Sequence, residues 1–132
     1  MIRPKNIADL EPVQMQACRT GEKLSLYRSL SDAFGIHSLL VHQEVLEPGR
    51  RASAPHFHSA KEEIFYVLEG NPSVWLDDEW AELAPGNFIG FNRENDIAHM
   101  LVNRSQQPAT ILTGTKLPDD KITFVEAPAG LD

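Results

Sequence analysis

The stretch Pro55-His56-Phe57-His58-Ser59-Ala60-Lys61-Glu62-Glu63 gathers the residues of this chain best suited to chemistry. In an extended strand, residues i and i+2 share a face, so His56 and His58 present two imidazoles side by side with Phe57 turned away. A carboxylate follows within five residues. Two imidazoles and a carboxylate on one concave surface make a common site for a divalent transition metal. Two neighbouring histidines also occur on ordinary protein surfaces, so the pair alone leaves both readings open. The next strand adds weight to the metal reading. Glu63, Phe65 and Val67 share one parity, and Ile64, Tyr66 and Leu68 the other. If Phe65 and Val67 line an interior, Glu63 points inward with them, while the adjacent Glu62 points out. An inward carboxylate without a partner is costly, and a bound cation removes that cost. His99 shares a face with Leu101 and Asn103, and by itself reads as a core or rim histidine.

These residues need elements to position them, and the chain is punctuated accordingly. Its 9 prolines and 8 glycines cut it into short pieces, several rich in β-branched and aromatic residues. The pieces Leu24 to Leu30, His37 to Leu46, Ile64 to Leu68, Ser73 to Leu76, Phe88 to Phe91, Ile97 to Val102 and Thr110 to Thr113 read as strands. Short strands at close spacing with turns between them predict an all-β sandwich or barrel. Asp77-Asp78 lies between Val74-Trp75-Leu76 and Glu79-Trp80-Ala81 and predicts a hairpin whose turn uses the tolerance of Asp for positive φ. Trp75 and Trp80 would then pack across the strands or at an interface. Pro85-Gly86-Asn87 predicts a second turn. A turn of helix is expected near Asp9 to Cys18, and a C-terminal arm from Leu117 with one short strand at Ile122 to Val125.

Length and composition narrow the function classes. A chain of 132 residues is expected to form a single domain, 1–132. Hydrophobic residues at 42% and charged residues at 23% suit an ordinary globule. With Lys+Arg 12 against Asp+Glu 19 the net charge is −7, which argues against nucleic acid as a partner. No apolar run reaches the ~18 residues of a membrane span, and the N-terminus has no apolar block of signal type. Cys18 is the single cysteine, so an internal disulfide and a multi-cysteine zinc site are excluded. The expectation is a cytoplasmic protein without membrane association. Cys18 itself is expected to be small, inert and at least half-buried.

The run Pro48-Gly49…His56-Phe57-His58…Glu63-Ile64-Phe65-Tyr66-Val67-Leu68-Glu69-Gly70 resembles the first motif of the cupin superfamily. That motif is Gly, five residues, His-x-His, three or four residues, Glu, six residues, Gly. Here four residues separate His58 from Glu63, and six separate Glu63 from Gly70. The second motif ends in His, three residues, Asn, as His99 and Asn103 do. The resemblance spans residues 36–116 or so and implies an antiparallel double-stranded β-helix, a jelly-roll barrel, with a short N-terminal segment and a C-terminal arm. It departs twice. Six residues, not five, lie between Gly49 and His56, and Asn92-Arg93-Glu94-Asn95-Asp96 replaces the usual Pro-x-Gly before the third histidine.

The resemblance implies that His56, His58, Glu63 and His99 ligate one divalent transition metal per chain, as Fe, Mn, Zn or Ni. It implies a structural or ligand-supporting role for Asn103 and turn roles for Gly49, Gly70 and Gly86. Three neutral imidazoles and one carboxylate leave two open cis positions on an octahedral ion, suited to a bidentate oxygen ligand. The implied function is a metal-dependent enzyme acting on a small polar or acidic metabolite. Dioxygenase chemistry stands slightly ahead of isomerisation or decarboxylation. A non-catalytic metal-bearing module that binds or senses a small molecule is the alternative. Tyr27, Gln43, Glu94 and Asp96 are the polar residues to inspect for acid–base roles. His37 and His42 have opposite parities and read as structural, and Arg50, Arg51, Arg93 and Arg104 as solvated charges near enough to meet an anion. Because both faces of Ile64 to Leu68 are apolar, the outer face needs cover. A homodimer is expected, against the alternative that Met1 to Thr20 folds over that face.

Overall fold

The computed structural model describes all residues except 59–61, 95–96, 117–121 and 131–132, and of residues 56–58 and 122 only the backbone. A 3-10 turn at Ile7–Asp9 precedes β1 (Val13–Gln16) and β2 (Lys23–Ser29). A short helix α1 (Leu30–Ala33) leads into β3 (Leu39–Leu46), then β4 (His56–His58) and β5 (Glu62–Glu69). The remaining strands are β6 (Ser73–Leu76), β7 (Glu79–Glu82), β8 (Phe88–Phe91), β9 (His99–Val102), β10 (Ala109–Lys116) and β11 (Ile122–Phe124).

They form two antiparallel sheets. One has six strands in the order β1-β2-β3-β10-β5-β8, the other five in the order β11-β4-β9-β6-β7. Consecutive strands repeatedly switch sheets, which is the double-stranded β-helix expected. Leu46, Phe65, Val67, Val74, Leu83, Phe91, Leu101, Ala109 and Ile111 pack between the sheets as the core. A second cluster of Trp75, Ala98, Met100 and Val102 lies on the other face of the five-stranded sheet, with Trp80 and Val125 against it. Trp75 and Trp80 are direct cross-strand partners, and the Arg104 guanidinium lies 4.0 Å from the Trp80 ring centre. Arg104 is thus occupied by a cation–π contact.

Most predicted strands appear with shifts of one or two residues at their ends. The helix expected near Asp9 to Cys18 does not form. The 3-10 turn there ends at Asp9, capped by the Asn6 side chain, and Val13–Gln16 is a strand paired to β2. Pairing satisfies an edge that β2 would otherwise expose, and this tertiary gain outweighs a weak local helix preference. Cys18 is exposed in the turn that follows, not buried. His37 lies outside β3 and is exposed, and α1 was not foreseen.

Asn103 is structural. Its side-chain N–H groups donate to Leu46 O at 2.8 Å and Gln107 O at 2.7 Å. Its Oδ1 accepts from the Ser105 amide at 3.0 Å and the Ser105 hydroxyl at 2.6 Å. The side chain therefore staples the end of β3 to the loop before β10, and all its polar atoms are committed.

In the β6–β7 hairpin Asp77 alone among the described non-glycine residues has positive φ, at 62°. Gly70 closes β5 with φ 82°, and a Cβ there would lie 2.5 Å from Pro108 O and 2.7 Å from Ala109 Cα. Gly86 has φ 89° but open space around it. Left-handed backbone costs an L-residue about 1–2 kcal/mol, and backbone overlap adds to it. Gly70→Ala should therefore lower unfolding free energy by about 3 kcal/mol in urea, and Gly86→Ala by about 1 kcal/mol. Equal losses at both positions would remove the packing explanation for Gly70.

Candidate metal centre

The concave face of the six-stranded sheet is set by register. Along β5 the inward residues are Glu63, Phe65 and Val67, all buried, while Glu62, Ile64, Tyr66 and Leu68 are exposed. Parity therefore places Glu63 as expected. Opposite it, on β9 of the second sheet, His99 is buried at 1% exposure. The His99 Nε2 lies 3.0 Å from Glu63 Oε1, across the gap between the sheets.

The His99 ring is fixed on three sides. Phe91 stacks on it with centroids 3.7 Å apart and planes at 9°. Phe65 meets it edge-on at 6.0 Å. Its Nδ1 is 3.1 Å from Ile97 O. A carbonyl only accepts, so Nδ1 carries the hydrogen and donates it. In the neutral ring the lone pair is then on Nε2, aimed at a carboxylate oxygen. Two electron-pair donors at 3.0 Å repel unless a proton or a cation lies with them. Two donors bound at right angles, each ~2.1 Å from one ion, are themselves about 3.0 Å apart. The pair fits a divalent metal on both separation and donor chemistry.

His56 and His58 lie on β4, which pairs with β9 on one side and β11 on the other. His56 is the direct register partner of His99, and His58 of Ile122. The backbone thus brings the His-x-His strand beside His99; the side chains of both histidines lie outside the described residues. Of the four predicted ligands, the structure joins Glu63 and His99 by side chain and adds His56 by backbone register.

The same concave face carries polar residues on the neighbouring strands. Glu44 on β3 is buried, and its Oε1 accepts from the Ser25 hydroxyl at 2.7 Å and its Oε2 from Thr113 at 3.4 Å. The His42 Nε2 lies 3.5 Å from the same Oε2. Tyr27 packs on the His42 ring with centroids 4.5 Å apart. Burial pushes the Tyr27 phenol above its ordinary pKa, Ser29 opposes this by a hydrogen bond, and the Asp32 and Glu44 charges add to it. Tyr27 therefore stays a hydrogen-bond donor at neutral pH.

Among the described residues singled out for acid–base roles, only Tyr27 faces the interior. Gln43 has the opposite parity to His42 and Glu44, and its side chain accepts from Arg28. Glu94 is exposed in the loop after β8, and Asp96 lies outside the described residues. Arg51 is paired with Glu22 at 2.8 Å rather than free for an anion. Sequence reasoning missed Glu44 and gave His42 no part in the interior. The parity argument that found Glu63 applies equally to Glu44, which shares its parity with Leu46 and Leu40.

Comparison with known proteins follows this geometry. A family model of the cupin domain matches residues 42–114. A comparison with curated proteins gives no match. Among solved structures, a sugar phosphate isomerase from a cupin superfamily of Silicibacter pomeroyi is similar with a TM-score of 0.82 and 25% identity, over 94% of this chain and 83% of that one. A protein of Acidithiobacillus ferrooxidans, whose name proposes a sugar phosphate isomerase, has a TM-score of 0.78 and 26% identity over 88% of this chain and 73% of its own. A polyketide cyclase from Streptomyces resistomycificus shares the fold, with a TM-score of 0.73 and 22% identity over 99% and 90%. The motif spacing, the interleaved sheets and a family match across more than half of the chain agree: this protein belongs to the cupin family.

Proposed function

We propose that the chain is a metal-dependent enzyme acting on a small polar metabolite that carries oxygen donors. The observation that carries this reading is the buried Glu63–His99 pair, with Oε1 and Nε2 held 3.0 Å apart between the sheets. His56, His58, Glu63 and His99 would hold one divalent ion, which when bound supplies Lewis acidity toward a carbonyl or hydroxyl oxygen. Phe91 and Phe65 clamp the imidazole of His99 and keep water from its faces. The Ile97 carbonyl fixes its tautomer, so that Nε2 stays available. The names of two similar structures, both of sugar phosphate isomerase type, support isomerisation over dioxygen chemistry.

Protein purified without chelator should contain one Fe, Mn, Zn or Ni per chain by elemental analysis. A folded, metal-free preparation that takes up no metal at neutral pH would overturn the reading. Glu63→Gln should weaken metal binding at least ~10-fold and Glu62→Gln should change it little. Equal effects would show that the register does not set the ligand. Turnover of hydroxy-carbonyl compounds by metal-loaded but not chelated protein separates an enzyme from a module that only binds.

We also propose that the working unit is a C2 dimer. The outer face of the six-stranded sheet exposes Leu39, Ile64, Tyr66, Leu68 and Phe88, each at 41–66%. The N-terminal segment reaches this face at β3, where Ile7 and Leu10 lie near Leu39 and Val41, and leaves Ile64, Tyr66, Leu68 and Phe88 exposed. The 3-10 turn lies with α1 and Leu39, and β1 extends the far edge of the sheet. Apolar patches of this extent mark interfaces, and a two-fold axis buries the same patch on both copies. Sedimentation equilibrium at micromolar concentration should give twice the chain mass of 14.8 kDa. A single-chain mass at every concentration would show that the patch stays open.

A further inference from the structure

Two buried polar atoms of the described residues have no hydrogen-bond partner: His42 Nδ1 and Thr115 Oγ1. Both belong to the concave face of the six-stranded sheet. Thr115 is the direct register partner of Glu63, and Thr113, two residues back, is the partner of His42. The two orphan atoms therefore sit on adjacent strands, beside the carboxylate of the candidate metal centre. Thr115, Glu63 and Phe91 also border an open hollow of about 490 Å³ at the strand ends, whose other side is formed by outer-face residues such as Ile64, Gly90 and Gly114. An unmade hydrogen bond at a buried group is costly, and a fold-stabilising core would use Val at 115 and Phe or Leu at 42 instead. The other ring nitrogen of His42 lies 3.5 Å from Glu44, which is held by Ser25 and Thr113.

The charge on this wall limits what it can take. Two carboxylates, Glu44 and Glu63, are buried on it. Among the described residues no Lys or Arg is buried on this wall, and Arg93 is exposed in the loop after β8. Arg28 bonds to Leu10 O and Gln43, Arg50 to Lys23 O, Arg51 to Glu22 and Arg104 to Trp80, while Lys116 is exposed at the rim. The hydroxyl and imidazole of this wall are suited to hydroxyls, and among the described residues no Lys or Arg stands with them to pair with a phosphate.

Resting on the metal reading above, we infer that Thr115 and His42 form the organic-ligand half of the site and hydrogen-bond the hydroxyls of a neutral hydroxy-carbonyl compound whose oxygens face Glu63 and His99. Thr115 Oγ1 donates to or accepts from one hydroxyl, and the free His42 ring nitrogen pairs with a second. The phenol of Tyr27, packed on His42, closes the wall on that side.

The test is calorimetric titration of manganese-loaded protein with dihydroxyacetone and, separately, dihydroxyacetone phosphate, with metal content measured for every sample. The neutral probe should bind more tightly than the phosphorylated one. Thr115→Val, which keeps shape and removes the hydroxyl, should weaken binding roughly fivefold or more, and His42→Phe likewise. Thr115→Ser should bind as the wild type does, which a purely structural role for position 115 would not predict. A protein that takes up no manganese defeats the metal reading, and this inference with it. Metal-loaded protein that binds neither probe, prefers the phosphate, or is unaffected by Thr115→Val overturns this inference alone.

Discussion

A carboxylate and an imidazole lone pair held 3.0 Å apart in an apolar interior define this molecule. Neither sheet could keep them so by itself. Glu63 is on the six-stranded sheet and His99 on the five-stranded one, and each is inward because of strand parity. Bringing them together needs the two sheets at a fixed spacing, and the core supplies it: Leu46, Val67, Leu101 and Ile111 are each at most 2% exposed. Burial without a charge partner would push the strands apart or water in, because desolvating a carboxylate costs far more than any one apolar contact returns. A proton or a cation shared by the two groups relieves that cost, and the proposed metal is one way to supply it.

The concave face is divided along its length. At one end Leu46, Ala109, Ile111 and Val67 meet in register across β3, β10 and β5. Further along the same strands, Glu44, His42, Thr113, Thr115 and Glu63 take their place. Each strand changes from apolar to polar on one parity alone, so the backbone hydrogen bonds are continuous while the lining changes. The apolar end gives rigidity, and the polar end inherits it. Aromatic contacts mark the boundary, with Phe65 and Phe91 packing edge to face at 6.1 Å and both touching His99.

Much of this was legible in the sequence because it rests on period two. Alternation gave the strands, the inward Glu63 and the outward Glu62, and the motif spacing gave the barrel. Turn chemistry gave the Asp77 hairpin, where one residue takes the positive φ. Illegible parts depend on pairings between distant segments. Nothing local to Val13–Gln16 says that β2 offers it an edge, so a helix was expected there. His42 was set aside for its parity with respect to His37, yet the relevant comparison is with Glu44, Thr113 and Tyr27, separated from it by up to 71 positions in register partners such as Thr113. The His56 and His58 pair was legible as a strand, and its register with β9 was not.

The outer face follows from the same constraint. A strand whose inner side must hold Glu63, Phe65 and Val67 has Ile64 on its outer side, flanked in register by Gly114 on β10 and Gly90 on β8. A Cβ at position 114 would stand 3.2 Å from Ile64 Cγ2, so Ile64 lies over the glycine. Next to it Tyr66 stacks on Phe88 at 6.5 Å. Two glycines around one isoleucine, beside a stacked aromatic pair, make an exposed apolar surface. Beyond the hollow at the strand ends, such a surface suits contact with a second apolar surface. The alternation that buries the carboxylate on one face of the sheet thus leaves an apolar face on the other, where a second copy is proposed to dock.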